Sequence, residues 1–230
     1  IVRIDADDLF MENRLAIQYK IMEQNPDLVL CGSNAHVIDD SGNYLFTTKR
    51  PIGNEDIKRL MSSYNCFIHP SVIFRRDVFM EIGGYYEEKT GFEDYLLFNK
   101  MCSYGCVKNI ESPLIKYRLV PGSETLRTNR KKNDIIIKSI LQRGYAIPSE
   151  IIRLKKLRKP KSSRQIKSEY YLTLSKVYKK QKHDQCKAIE YLIKSMLTSI
   201  PKINTIKTLG QIVLPNIIIN KISSYNKYLC

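Results

Sequence analysis

Three segments at the start of the sequence set the fold class of the chain. The apolar run at residues 1–4 is typical of a buried strand, residues 12–24 predict a helix, and a second apolar run lies at residues 28–31. One face of that helix is predicted to carry Leu15, Tyr19 and Met22. A strand, helix, strand order predicts an α/β fold with parallel strands. Because the sequence opens directly in an apolar run, we expect the chain to be a fragment.

Turn-forming residues divide the next hundred residues into short elements. Residues 35–38 and 44–48 flank the turn formers at 39–43 and predict a β-hairpin. Beyond it, the pattern predicts a helix over 55–63 with Asn54 as its cap, a strand at 71–74, a helix at 76–82 that ends at Gly83-Gly84, a helix at 92–104 that ends at Gly105, and strands at 106–110 and 114–119.

The charge is divided unequally along the chain. Residues 1–120 contain 14 Lys and Arg against 17 Asp and Glu, whereas residues 121–230 contain 24 against 6, a net charge of +18. Basic helical stretches are predicted at 130–143, 149–158, 164–181, 185–199 and 203–224. Such a surface is either a solvated Lys-rich face or a face that meets an anionic partner, such as an acidic membrane. Nucleic acid is not the favoured partner, because no known module is present.

Other features of the sequence narrow the class of protein. The six cysteines form no C-x-x-C pair, which favours reduced thiols and a cytoplasmic protein. The basic helical tail would hold such a protein at the inner face of the cell membrane. No apolar stretch is long enough to cross a membrane. Residues 168–201 have spacings loosely like one tetratricopeptide unit, and an ordinary helical hairpin is the alternative.

Three carboxylates, Asp5, Asp7 and Asp8, directly follow the first apolar run. In open α/β folds ligands bind at this edge of the sheet, and carboxylates this close tolerate one another best around a divalent cation such as Mg²⁺ or Mn²⁺. A phosphatase motif would need Gly and Thr next, but Asp8 and Leu9 stand there. A calcium loop is excluded by Phe10 and Ala16, and a solvated acidic turn stays open as an alternative.

A second acidic pair, Glu93-Asp94, opens the predicted helix at 92–104. Acidic residues at a helix start often only interact with the helix dipole. A carboxylate held beside a Gly-containing loop could instead remove a proton from an acceptor hydroxyl.

These groups belong to an ordered series of motifs that resembles a known family. The series consists of Arg3-Ile4-Asp5-Ala6-Asp7-Asp8 with Glu12-Asn13-Arg14-Leu15, residues 67–76 (FIHPSVIFRR), Ile82-Gly83-Gly84-Tyr85, Gly91-Phe92-Glu93-Asp94-Tyr95 and Tyr117-Arg118. Over about residues 1–125 the chain resembles bacterial family 2 glycosyltransferases of the GT-A fold. We therefore expect a GT-A-like (Rossmann-like) mixed sheet that lacks its first nucleotide-binding strands at 1–125, followed by a basic all-helical region at 126–230.

The resemblance implies roles for the acidic residues. Asp5 and Asp7 would hold Mg²⁺ or Mn²⁺ against the diphosphate of a nucleotide-sugar donor, and Asp94 would be the base in an inverting transfer. Glu93 would lie beside the acceptor or support the base. Asp8 would serve either the donor site or the turn.

Two further residues are implied at the donor site. His69 would line the donor or acceptor pocket, unless it is structural, and Arg118 would approach the diphosphate. The sequence departs from the family pattern after Arg118, where Val120 stands at the position of a common His.

The resulting hypothesis is a transferase that passes a sugar to a saccharide or lipid-linked acceptor in cell-surface polysaccharide, lipopolysaccharide or glycoprotein glycan synthesis. The alternative is an inactive fragment that acts as a binding module through its basic helical tail.

Overall fold

The computed structural model of the chain describes residues 1–86, 91–123, 130–143, 147–157, 161–199 and 208. The helix expected at 203–224 lies almost entirely outside these residues. Contacts divide the chain into two compact units. The first contains residues 1–119 and 128–159, and the second contains residues 120–127 and 160–230.

A mixed sheet forms the centre of the first unit, as the sequence predicted. Its described strands are β1 (Leu9–Phe10), β2 (Leu28–Ile38), β3 (Tyr44–Thr47), β4 (Ile73–Phe74) and β5 (Cys106–Arg118). They lie in the order β1-β5-β2-β3, with β4 also paired to β2. Strands β2 and β5 are parallel, with Ala35 opposite Ile115, and the other pairs are antiparallel. This architecture is the α/β class expected from the strand and helix order.

Helices cover the sheet and contribute to one apolar core. The helices of the first unit are α1 (Arg14–Gln24), α2 (Asn54–Met61), a 3₁₀ turn (His69–Ser71), α3 (Arg76–Glu81), α4 (Glu93–Tyr104), α5 (Arg130–Arg143) and α6 (Pro148–Leu157). Ile137 of α5 and Leu154 of α6 are buried in the same cluster as Phe98 of α4. Because these side chains share the core, the first unit extends to residue 159, whereas the sequence-based boundary stands at 125.

Strand β2 is buried along almost its whole length, as befits a central strand. At Gly32 an added Cβ would lie 2.3 Å from Asn109 Oδ1 and 2.8 Å from a Phe67 ring carbon. A side chain at this position would displace Asn109, whose amide nitrogen donates to the carbonyls of Pro51 (2.8 Å) and Cys66 (3.1 Å). The missing side chain at Gly32 therefore leaves room for a buried amide that ties two loops to β5.

The expectation of a buried strand at residues 1–4 is wrong in its burial. The segment does pair in extended form with residues 72–74, through Phe74 N to Ile1 O (2.9 Å) and Arg3 N to Val72 O (3.0 Å). Ile1, Val2 and Ile4 are nevertheless exposed. An apolar run can take strand pairing at an edge without being covered on its faces.

Helix α1 buries a face that shares only Met22 with the one expected. Leu15 and Tyr19 are exposed, whereas Arg14, Gln18 and Met22 are buried. The buried pair is tied in by hydrogen bonds: Arg14 Nε donates to Gln18 Oε1 (2.8 Å), and Gln18 Nε2 donates to the carbonyls of Cys31 (3.2 Å) and Ser71 (2.8 Å). Arg14 Nη1 is buried without a hydrogen-bond partner in the described part of the chain, so Gln18 is the better satisfied of the two side chains.

Two smaller expectations also change. Asn54 does not cap α2, since Gly53 is its N-cap and Asn54 Oδ1 accepts from Val107 N (3.0 Å) instead. The strands expected at 106–110 and 114–119 form the single strand β5, whose pairing with β2 shifts register near Ser33 and Asn34. The hairpin at 35–48 is confirmed, and Gly83 and Gly84 have the left-handed φ of 80° and 69° that ends a helix.

The described part of the second unit is a helical hairpin of α7 (Ser163–Lys180) and α8 (Gln185–Thr198). Ser168 Oγ donates to Ser195 O (2.9 Å) and Ser175 Oγ donates to Ala188 O (2.7 Å), so the two helices run antiparallel in close contact. Ser162 caps α7 in a capping box with Gln165. One hairpin is compatible both with a single tetratricopeptide-like unit and with an ordinary hairpin. Within the described ranges no helix is long and apolar enough to cross a membrane.

We expect the buried guanidinium of Arg14 to be a major source of stability. Replacing Arg14 with Ala removes the hydrogen bonds to Gln18 Oε1 and to the Arg3 carbonyl, and should lower the free energy of unfolding by about 3 kcal/mol. Arg14→Lys keeps the charge but not the branched set of donors, so it should lower the free energy of unfolding by less than Arg14→Ala does. Urea unfolding of both variants measures this. Arg76→Ala, at an exposed position on α3, is the control and should change stability by less than about 0.5 kcal/mol. Equal values for Arg14→Ala and the control would contradict this role.

Candidate active site

The acidic triplet forms a tight turn at the edge of the sheet. Asp8 N donates to Asp5 O (3.1 Å), and the turn leads directly into β1. Asp5 is partly exposed and Asp7 is exposed, whereas Asp8 is 6% exposed. The three carboxylates therefore differ in role: two face outward and one faces into the protein.

Asp8 is held by the end of β5. Its Oδ1 accepts from Arg118 N at 2.7 Å, while its Oδ2 is buried and has no hydrogen-bond partner within the described part of the chain. Burial raises the pKa of Asp8 to about 6; Asp7 and Asp5 add to the rise, and the hydrogen bond from Arg118 opposes it. The triplet thus concentrates negative charge that the protein only partly neutralises.

The Arg118 side chain lies at the triplet. Its Nε donates to Asp7 O (3.0 Å), and its Nη1 lies 3.3 Å from the carbonyls of both Asp39 and Asp40. The guanidinium therefore ties the acidic turn to the turn of the β2–β3 hairpin. It also places a fixed positive charge beside the Asp7 backbone.

Arg3 connects the triplet to His69. Arg3 Nη2 lies 2.5 Å from Asp5 Oδ1, and Arg3 Nε donates to His69 Nε2 at 3.4 Å. The same imidazole nitrogen is 2.8 Å from the Tyr85 hydroxyl. Burial raises the pKa of Tyr85 to about 12, and the Arg3 guanidinium opposes that rise. The phenol is therefore neutral at physiological pH. His69 opens the 3₁₀ turn.

The Glu93-Asp94 pair lies in the first turn of α4. Glu93 Oε1 accepts from Gly91 N at 2.9 Å, and Asp94 Oδ2 accepts from Asn65 Nδ2 at 2.9 Å. Neither side chain caps the helix. The two carboxylates are therefore held by the loops that precede α4 and the 3₁₀ turn, so their hydrogen bonds go to neighbouring loops and not to the orphan amides of α4.

Both acidic groups act on one imidazole. Burial lowers the pKa of His69; Asp94 opposes the shift, Arg3 adds to it, and Asp5 and Glu93 oppose it. Geometry supports this: the His69 ring packs against Phe98, one turn after Asp94 on α4, with ring centroids 5.9 Å apart. The structure thus brings the triplet and the Glu93-Asp94 pair, almost ninety residues apart in sequence, to a common site around His69.

The Mg²⁺ or Mn²⁺ expected at Asp5 and Asp7 can be compared with the geometry of the acidic turn. Within the described ranges, no three His, Cys, Asp or Glu side chains are arranged to hold a metal ion. Asp5 already has Arg3 as a counter-charge. Asp5 and Asp7 do supply carboxylate oxygens, the donor type that Mg²⁺ and Mn²⁺ prefer, and the buried Asp8 Oδ2 has no partner there.

Sequence reasoning missed three residues of this site: Arg3, Asn65 and Tyr85. Arg3 and Tyr85 both stand inside the motif series, so their position was a usable signal. Asn65 lies outside every motif, four residues before His69. Nothing in the sequence pattern connects it with Asp94.

Comparison with known proteins gives a consistent result. A family model described as glycosyltransferase like family 2 matches residues 1–131. An O-antigen biosynthesis glycosyltransferase of Escherichia coli is 34% identical over 124 residues, which cover 52% of this chain and 47% of that protein. An amylovoran biosynthesis glycosyltransferase of Erwinia amylovora is 32% identical over 136 residues, covering 59% and 50%.

A third relative has a more specific name. A UDP-Gal:alpha-D-GlcNAc-diphosphoundecaprenol beta-1,3-galactosyltransferase of Escherichia coli is 28% identical over 119 residues, covering 51% of this chain and 43% of that protein. The chain spans about half the length of the relatives it matches. The family model covers more than half of the chain and contains both acidic groups and Arg118. The chain therefore belongs to the family 2 glycosyltransferases.

Proposed function

We propose that the protein transfers a sugar, with inversion, from a nucleotide-diphosphate sugar to a saccharide or lipid-linked acceptor. One observation carries the proposal: the acidic turn reaches His69 through the Asp5–Arg3 ion pair, and Phe98, one helical turn after Asp94, packs against the same imidazole. A transferase of this kind needs a charged site for the diphosphate beside a carboxylate that takes the acceptor proton. The two acidic groups meet both needs from opposite ends of one site.

Asp94 is the general base of the proposed reaction. It accepts the proton of the acceptor hydroxyl as the hydroxyl oxygen bonds to the anomeric carbon and the nucleotide diphosphate departs from the opposite face. Attack from the face opposite the leaving group inverts the anomeric centre. The hydrogen bond from Asn65 keeps one carboxylate oxygen engaged. Glu93, held by Gly91 N, lies beside the base and is placed to contact the acceptor.

The triplet and Arg118 are the proposed donor site. Asp5 and Asp7 would hold Mg²⁺ or Mn²⁺, which when bound stabilises the charge that develops on the departing diphosphate. Two features support such a cation: carboxylate oxygens are the ligand atoms it prefers, and the negative charge around Asp8 is only partly neutralised. Arg118, fixed beside Asp7, would add positive charge near the same phosphates. His69 and Tyr85 would line the pocket between donor and acceptor.

The names of the relatives support the acceptor class. The names of two relatives include O-antigen and amylovoran, and the name of the third includes a diphosphoundecaprenol-linked sugar. We infer an acceptor of the same broad kind, a growing cell-surface saccharide or its lipid-linked form. An inactive chain that acts only as a binding module is the competing function, and turnover by the whole protein decides between them.

We also propose that the protein works in the cytoplasm and contacts the inner membrane face through its basic part. Residues 121–230 carry a net charge of +18. Helix α8 exposes Ile193 (51%) and Leu197 (83%) beside Lys194, which lies over the Tyr191 ring. Exposed apolar side chains among lysines are suited to an anionic lipid surface, where a lipid-linked acceptor would be found.

Asp94→Asn tests the proposed base. In the whole protein, with donor and acceptor, turnover should fall by about 10³-fold, because the amide cannot accept the proton. The thermal midpoint should stay close to the wild-type value, since Asn has the same shape. Asp77→Asn is the matched control: Asp77 is an exposed acid in the first turn of α3, so it reproduces any helix-dipole effect. If both variants keep turnover, Asp94 is not the base.

Asp7→Asn tests the proposed cation site. Titration of the whole protein with Mn²⁺ and a nucleoside diphosphate, followed by calorimetry, should show an affinity at least about 10-fold weaker than wild type. Asp56→Asn is the control, because Asp56 forms only an exposed ion pair with Arg59. An unchanged Mn²⁺ affinity in Asp7→Asn would remove this residue from the site.

Vesicle sedimentation tests the membrane contact. The protein should sediment with vesicles that contain phosphatidylglycerol and not with pure phosphatidylcholine, and added salt should release it. Leu197→Ser should weaken binding by about tenfold, the loss expected for one buried leucine. Tyr19→Ser, at an exposed position on α1, should have no effect. Equal sedimentation with both lipids would argue against an electrostatic contact.

A further inference from the structure

Asn65 stands at a fixed point of the backbone between α2 and the 3₁₀ turn. Arg50 Nη1 donates to Asn65 O at 3.2 Å, and Asn109 Nδ2 donates to the next carbonyl, Cys66 O, at 3.1 Å. Asn109 belongs to β5, at the centre of the sheet. The loop that carries Asn65 is therefore anchored to a central strand of the sheet.

The side-chain amide of Asn65 can take only one orientation. Its Oδ1 accepts from Phe67 N at 3.1 Å, and its Nδ2 donates to Asp94 Oδ2 at 2.9 Å. A backbone N–H can only donate and an ionised carboxylate can only accept. A flipped amide would lose both hydrogen bonds, so the amide nitrogen must face Asp94.

The start of α4 is fixed from the same side. The hydroxyl of Tyr95, the residue after Asp94, donates to Met61 O at the end of α2. Backbone position and carboxylate orientation at Asp94 thus both depend on the α2 end of the structure. A carboxylate in the first turn of a helix has several accessible rotamers, and a directed donor selects one of them.

We propose that Asn65 is a positioning residue, which orients the Asp94 carboxylate for the acceptor hydroxyl through a hydrogen bond to Oδ2. This inference rests on the proposed function, in which Asp94 is the base. Reaction rates depend steeply on such placement, since a displacement of about 1 Å can cost about 10²-fold. Asn65 itself touches neither reacting atom in this scheme.

A purely structural role for Asn65 makes a different prediction. In that case the hydrogen bond from Phe67 N, which closes a local turn, is all that matters. Asn65→Asp separates the two roles. The new carboxylate keeps an oxygen for Phe67 N, but it replaces the donor to Asp94 with a second negative charge.

The chain offers a matched control at Asn54. Asn54 Oδ1 accepts from a backbone amide, Val107 N at 3.0 Å, and Asn54 Nδ2 donates to a carboxylate, Glu55 Oε1 at 2.8 Å. The chemistry is the same as at Asn65, but the carboxylate is exposed and is no part of the proposed site. Asn54→Asp therefore reports the general effect of this substitution.

The experiment measures kcat, the donor KM and the thermal midpoint of the whole protein for Asn65→Asp, Asn65→Ala and Asn54→Asp. We expect both Asn65 variants to lower kcat by about 10- to 100-fold with the donor KM within about twofold. The thermal midpoint of Asn65→Asp should stay within a few degrees of wild type. Asn54→Asp should keep wild-type kcat.

Wild-type kcat in Asn65→Asp would overturn the positioning role, even if Asp94→Asn abolishes turnover. A fall in kcat that is matched by the same fall in Asn54→Asp would overturn it as well. If Asp94→Asn keeps turnover, the proposed base is wrong and the positioning role is overturned with it. A selective loss of kcat in the Asn65 variants, together with an inactive Asp94→Asn, supports it.

Discussion

The buried guanidinium of Arg14 is the interaction on which the arrangement of the first unit depends. Arg14 is 1% exposed, and its Nη2 donates to Arg3 O (2.9 Å) and contacts Val72 O (3.4 Å), while its charge lies 4.1 Å from the centre of the Phe10 ring. Burial lowers the pKa of Arg14 to about 10, and the carboxylate of Asp8 opposes this shift. One cation thus links α1, the first residues, β1 and the segment before β4, although its Nη1 is buried without a hydrogen-bond partner in the described part of the chain.

The candidate active site is built on that link. Arg14 holds the backbone at Arg3, and the Arg3 side chain in turn reaches Asp5 and His69. On the other side, Arg118 N holds Asp8 and the Arg118 side chain holds the carbonyl of Asp7. The acidic turn is therefore clamped between two arginines. Its charge is concentrated and yet incompletely neutralised, a state that favours an additional cation or a positively charged partner.

Most of the secondary structure follows from local sequence patterns. The hairpin at 35–48, the helix that begins at Glu93 and the glycines at 83–84 follow turn chemistry and periodicity, which act within a few residues. The buried face of α1 does not follow from such local patterns. Its apolar Leu15 and Tyr19 face outward because Arg14 and Gln18 find partners on Ser71, Cys31 and Arg3, and no local rule counts partners so distant in sequence.

The sequence by itself determined the α/β class, the family and the identity of the acidic residues, because each depends on residue types in a fixed order along the chain. Only the tertiary structure decided which of these residues meet. It brought Asp5 and Asp94 to one imidazole, turned Asp8 inward and paired Asp94 with Asn65. Those contacts join segments far apart in the chain, and their geometry comes from how β2, β5 and α4 pack around a shared core.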